Sequence, residues 1–135
     1  MIVADANLLV ALVIESPNTA LAEAVLRKAL RWFAPPVWRS EVANILVNYI
    51  RRDALRPDSA YRRWERISKI LGDGERATDR IRVFELASAS GCSAYDCEYA
   101  AVAEALGMPL LTFDRKVLRA FPQIAANPAA FLARA

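Results

Sequence analysis

Four acidic residues stand where their types and spacing could do chemistry: Asp5, Glu41, Asp96 and Asp114. Asp5 follows the short β-capable run Met1 to Ala4, and Asp114 closes Leu110-Leu111-Thr112-Phe113. Two aspartates at strand ends can share one crevice, because ligands of open α/β sheets bind outside the carboxyl ends of the strands. Each also has a plain structural use. Asp5 and Asp114 suit the N-caps of the helices that follow, and Ser93-x-x-Asp96 matches a capping box. Glu41 is harder to place so simply. Val37, Trp38 and Ile45 surround it at helical spacing, so it borders an apolar stripe, and Asn44 and Asn48 continue its side as a polar seam. A carboxylate held there needs a partner, since an isolated buried charge is very costly.

Which partner is narrowed by an absence. The chain has no histidine. That excludes Ser-His-Asp and Cys-His nucleophile systems, histidine-bound zinc and a histidine general base. The two cysteines, Cys92 and Cys97, have neither redox-pair nor zinc-site spacing, and fit a reduced cytosolic protein. Carboxylates gathered without basic partners repel one another and raise their own pKa values. A divalent cation resolves that conflict, and hard oxygen ligands select Mg²⁺ or Mn²⁺. Such ions can bind a phosphodiester, activate water and stabilise the leaving oxygen. Metal-dependent nuclease chemistry follows as the expectation.

Charge distribution points the same way. Net charge is +3, but residues 51–82 hold ten basic and six acidic side chains, so this segment carries +4 and the remainder −1. Fifteen of the 18 cations are arginine, whose planar fork suits phosphate. A solvated helical face is the alternative use of the same residues.

These residues must be positioned by secondary structure, and the pattern is alternating. After the first strand, Asn7 to Ile14 reads as a buried helix and Pro17 opens a second. Arg31 to Ala34 reads as a strand stopped by Pro35-Pro36, and Val37 to Arg52 as an amphipathic helix. Further helices are expected from Pro57 to Leu71, Thr78 to Ser90, Ser93 to Leu106 and Arg115 to Ala120, with a strand at Pro109 to Phe113. Short apolar strands alternating with helices indicate an α/β fold with a mostly parallel sheet. Residues 1–135 read as one domain. The longest uncharged stretch, Ala120 to Ala133, is 14 residues and contains two prolines, so no membrane span is expected. The start has no basic leader region, consistent with a cytoplasmic protein.

The segments Val3-Ala4-Asp5-Ala6-Asn7, Ser40-Glu41-Val42-Ala43-Asn44, Ser93-Ala94-Tyr95-Asp96 and Leu111-Thr112-Phe113-Asp114 resemble the successive motifs of PIN domains. Order, spacing and length are most similar to VapC-type toxins of prokaryotic toxin–antitoxin pairs. The resemblance implies an α/β/α sandwich, Mg²⁺- or Mn²⁺-dependent endoribonuclease activity on structured RNA, a homodimer and neutralisation by a small antitoxin. It also implies that Asp5, Glu41, Asp96 and Asp114 form the acidic quartet, with Asp5 and Asp96 the direct metal ligands. Asn7 and Thr112 match supporting polar positions, and Asn44 is added from the polar seam of its helix. Two positions depart from the pattern: Ala6 replaces a common hydroxyl residue, and Lys116 stands where some relatives carry a further acid.

Two other readings use the same residues. A phosphatase of the haloacid-dehalogenase type would make Asp5 a nucleophile in Asp5-Ala6-Asn7, but leaves Glu41 without a role. A non-catalytic RNA- or protein-binding module would retain the fold without the chemistry. Trp32, Trp38 and Trp64 could stack bases but fit core positions better.

Overall fold

The structure is a computed structural model and describes residues 1–134. Its centre is a four-stranded sheet in the order β2-β1-β3-β4, with every pairing parallel. The strands are β1 (Ile2–Ala4), β2 (Trp32–Phe33), β3 (Leu110–Leu111) and β4 (Ala125–Ala126). Ile2, Val3, Ala4, Leu110 and Leu111 are wholly buried, as expected for a parallel sheet covered on both faces.

Among the described residues, eight helices make the covering layers: α1 (Ala6–Val13), α2 (Thr19–Lys28), α3 (Trp38–Arg51), α4 (Pro57–Leu71), α5 (Arg80–Ser90), α6 (Ala94–Leu106), α7 (Arg115–Ala120) and α8 (Pro128–Ala133). Together they give the α/β/α sandwich that the motif order implied. The apolar run from Leu8 to Val13 is buried throughout α1, which makes it core rather than surface. Helix α6 packs on β1 and β3, while α1 contacts α2, α3 and α4. Trp32 and Trp38 are buried core residues, and Trp64 stacks on Trp38 with ring centroids 5.0 Å apart.

The chain leaves β1 toward β2 on one side and later returns to place β3 on the other. The crevice at the carboxyl ends of β1 and β3 is therefore a topological switch point, where open parallel sheets bind ligands. Asp5 and Asp114 lie at that end.

Several boundaries shift from expectation for local reasons. Helix α2 begins at Thr19 rather than at Pro17, because Ser16 and Thr19 close a tight turn first. The Ser16 hydroxyl accepts from Asn18 N at 3.1 Å, and Ser16 N donates to Thr19 Oγ1 at 3.0 Å. Helix α5 begins at Arg80, capped by Asp79, whose carboxylate accepts from Ile81 N. Strand β3 ends at Leu111, since Phe113 N turns to Asn7 Oδ1 instead of to a neighbouring strand. Strand β4 and helix α8 were not anticipated. Two-residue β4 has too little pattern to read, but Asn127-Pro128 is a capping residue followed by a proline at the first helical position, a readable start for α8.

Candidate functional site

The site is assembled from four chain segments. Asp5 follows β1 and is 6% exposed. One carboxylate oxygen accepts from Ala6 N at 2.8 Å, which caps α1, and the other accepts from the Thr112 hydroxyl at 2.7 Å. Thr112 Oγ1 in turn accepts from Asn7 Nδ2 at 3.1 Å and from Asp114 N at 3.0 Å. Asn7 Oδ1 accepts from Phe113 N at 3.2 Å. Asp5, Asn7, Thr112 and the backbone of 113–114 thus form one polar network across the switch point.

Asp96 and Asp114 are presented at helix starts. Asp96 lies in the first turn of α6, where its N–H donates to Ser93 Oγ at 3.1 Å. Asp114 caps α7 by accepting from Lys116 N at 2.8 Å. The capping uses foreseen for Asp5, Ser93 and Asp114 are all realised. Capping occupies only part of each carboxylate, so position and function are compatible.

Glu41 enters from α3. Its Oε1 is buried without a hydrogen-bond partner, and so is the hydroxyl of Tyr99 on α6. The two groups interact directly: burial first, then the Glu41 charge and its contact with the hydroxyl, push the Tyr99 hydroxyl upward, though the pair does not reach full hydrogen-bond geometry. A native structure rarely leaves such groups unsatisfied, and a buried carboxylate oxygen without a donor is chemically suited to a hard cation.

Electrostatics tie the four acids together. Burial, reinforced by the charges of Glu41 and Asp96, raises the Asp5 carboxyl to about 6. Burial and Asp96 raise Glu41, and burial and Asp114 raise Asp96. Among the described residues, none of the four is in an ion pair, although Asp58, Asp73, Glu75, Glu85, Glu98 and Glu104 all are. The site therefore concentrates like charge without an ion-paired cation, the Lys116 charge offsetting only part of the effect at Asp96.

That donor set fits Mg²⁺ or Mn²⁺. No three Asp, Glu or Cys side chains among the described residues already form a closed ligating cluster. Mg²⁺ does not require one, since it keeps several waters and takes one or two carboxylates plus substrate phosphate.

Comparison with known proteins decides the family. A PIN-domain family model matches residues 2–125. The chain belongs to the PIN-domain family. It is of the VapC type: it is 33% identical over 126 residues to Ribonuclease VapC3 of Pyrobaculum aerophilum, covering 91% of this chain and 96% of that relative. Solved structures agree in fold. PAE2754 from Pyrobaculum aerophilum matches with a TM-score of 0.78 at 23% identity, covering 98% of this chain and 86% of that one. FitAcB from Neisseria gonorrhoeae matches with a TM-score of 0.70 at 18% identity, covering 96% and 99%. FitAB bound to the IR36 DNA fragment gives 0.72 at 18% identity, covering 95% of each chain.

Within this PIN domain, Asn7 works as a strut between Thr112 and Phe113, which accounts for Asp5-Ala6-Asn7 without a nucleophilic aspartate. Asn44 is exposed, and its amide makes no hydrogen bond to the acids; the seam predicted for it faces outward because α3 buries only Trp38, Val42 and Leu46. Most of the arginine-rich segment is also committed elsewhere. Arg63 and Arg66 donate to the carbonyls of Val13 and Leu12 at the end of α1, at 3.0 and 3.3 Å. Arg76 binds the carbonyls of Asp73 and Glu75, and Arg82 forms a two-pronged pair with Glu104 at 2.6 and 2.8 Å. Two cations follow Asp114 directly, Arg115 and Lys116, exposed at the start of α7 and in no ion pair among the described residues; the Lys116 charge reaches Asp96. Their signal in the sequence was position, directly after Asp114, rather than density. Tyr99 was missed because a tyrosine three residues after Asp96 reads as ordinary helix core.

Proposed function

We propose that this PIN domain is a metal-dependent endoribonuclease, a toxin that cleaves structured cellular RNA and is neutralised by a small antitoxin. The observation that carries the reading is the set of four acids, drawn from four segments and none of them in an ion pair among the described residues, of which Asp5, Glu41 and Asp96 are raised by burial and by neighbouring carboxylates. The relative named as a ribonuclease spans nearly the same length and supports RNA as the substrate.

In this reading Asp5 and Asp96 are the direct ligands of Mg²⁺ or Mn²⁺, and Glu41 and Asp114 are further ligands or acceptors for hydrogen bonds from water. The chemistry such an ion supplies when bound is charge neutralisation at a phosphodiester and activation of water for attack. The protein's own contribution is orientation. Thr112 and the Ala6 N–H fix both oxygens of Asp5, and Asn7 fixes Thr112. Lys116 and Arg115 bring positive charge to the phosphates flanking the cleavage point.

Partners follow from exposed surface. Ile81 and Phe84 on α5 and Tyr95 on α6 are large, exposed and apolar, which supports a homodimer. A groove of about 360 Å³ between α3 and α4, lined by Leu46, Val47, Ile50, Tyr61 and Trp64, supports docking of an antitoxin segment. Among the described residues no helix is long and apolar enough to cross a membrane, and we assign the protein to the cytoplasm.

The test is incubation of pure protein with a panel of structured RNAs in Mg²⁺, Mn²⁺ or EDTA. Cleavage is expected with either metal and not with EDTA. Metal-insensitive tight binding without cleavage contradicts the reading and favours a binding module.

A further inference from the structure

One surface cleft shares residues with the acid site. It lies between α1 and α3, has a volume of about 260 Å³, and is lined by Asn7 and Phe113 together with Tyr49 and Asn18. We propose that this cleft receives one nucleobase of the RNA strand, next to the scissile phosphate. The proposal rests on the ribonuclease reading and names a subsite for its substrate.

Position is the first argument. Asn7 bonds Thr112, and Thr112 bonds Asp5, so the cleft wall is two hydrogen bonds from the buried aspartate. Phe113, on the same side, immediately precedes Asp114. A strand whose phosphate lies at the acids must place an adjacent nucleotide against this wall or away from the protein.

Shape and chemistry are the second. Val10, Ala11, Ile14 and Ile45 form an apolar floor, and Tyr49 and Phe113 add aromatic walls. The volume lies below the roughly 300–1,000 Å³ of pockets for whole small ligands. It suits one planar ring system better than a peptide helix. Stacking on aromatic side chains tolerates any base, and polar groups at the rim can select among them. The Asn18 amide makes no capping bond to α2 and is free to do so. Charge completes the fit, because the Arg52 guanidinium lies 4.8 Å from the centre of the Tyr49 ring and puts a cation beside a groove meant for a polyanion.

The test compares wild type with Tyr49→Ala, Tyr49→Phe and Asn18→Trp, the last on an exposed residue whose enlargement closes the cleft mouth. Thermal melts establish that each variant folds. Steady-state cleavage should show KM raised about tenfold in Tyr49→Ala and Asn18→Trp, with kcat within about twofold and near-wild-type behaviour in Tyr49→Phe. Independently, RNA carrying 4-thiouridine is photo-crosslinked in EDTA to the Asp96→Asn protein, and adducts should map to Tyr49 or Phe113. Unchanged KM in both cleft variants, or adducts confined to α4, overturns the subsite and leaves the ribonuclease reading intact. Should Tyr49→Ala fail to fold, Asn18→Trp and the crosslink still decide. A wild-type protein that cleaves no RNA overturns both.

Discussion

The Thr112 hydroxyl donates to Asp5 at 2.7 Å, joining residues 107 positions apart. The same oxygen accepts from Asn7 and from Asp114 N, so one side chain holds together the ends of β1 and β3 and the start of α7. Thr112→Val keeps the shape and removes all three bonds, leaving buried polar groups unsatisfied. It should destabilise the fold by about 1–3 kcal/mol and lower cleavage, whereas Thr112→Ser should restore most of both. Denaturant unfolding in EDTA together with cleavage rates checks this; equal stability of the valine variant contradicts it.

Asp5 makes stability depend on pH with a definite sign. Its folded carboxyl is raised from 3.8 to about 6, so the folded state holds the proton more tightly than the unfolded state does. The associated stability is fully present below 3.8 and is lost as pH rises through about 6. Asp5 alone is worth on the order of 2–3 kcal/mol across that window, and the raised Glu41 and Asp96 act in the same direction. In EDTA, Tm should therefore fall between pH 4.5 and 7 (about two units of titration). Excess Mg²⁺ should flatten the fall, because it binds the ionised acids of the folded form. Melting curves over this range, with and without metal, measure it, and a Tm in EDTA that climbs through this window refutes it.

The two sets of arginine and lysine should separate cleanly by function. Arg63→Ala removes donors to the Val13 carbonyl and to Ser59, and should cost about 1–3 kcal/mol of stability without altering the salt dependence of RNA binding. Lys116→Ala should leave Tm nearly unchanged and reduce that salt dependence by about one phosphate contact. Fluorescence anisotropy with Asp96→Asn protein at several salt concentrations distinguishes them. The reverse pattern would show that the middle segment, not α7, carries the RNA.

Gly74 sets a purely structural limit. Segment 74–76 runs beside β2, with Ala34 N donating to the Gly74 carbonyl at 3.2 Å and Arg76 N to the Ala34 carbonyl at 2.9 Å. A Cβ at Gly74 would collide with the Trp32 carbonyl and lie 2.8 Å from that of Leu71. Gly74→Ala should lower stability by about 2 kcal/mol or more while sparing kcat in the folded fraction. A melt indistinguishable from wild type would count against this packing.

Legibility followed length and pairing. Helix α3 was readable because its apolar positions repeat in one stripe, and α4 and α6 because their starts are explicit in Pro57 and Ser93 and their ends in Gly72 and Gly107. Strand β4 was not, since two alanines have no period. The four acids could be picked out because their types are incompatible with an ordinary core, while their shared environment depends on β1 and β3 being neighbours, which no local pattern states. Density misled in the arginine-rich segment: a count of charges cannot show that Arg63 and Arg66 are spent on the carbonyls of α1. For the same reason Asn44 was grouped with Glu41 by helical spacing, though the helix turns it outward.

The central claim is that these four unpaired acids hold a divalent cation. Calorimetric titration of Mn²⁺ into metal-free protein at about pH 7.5, above the value of about 6 to which the Asp5 carboxyl is raised, tests it directly. The account predicts saturable binding in wild type that is abolished in Asp5→Asn and Asp96→Asn proteins with native circular dichroism. Binding that survives undiminished in both variants would contradict it.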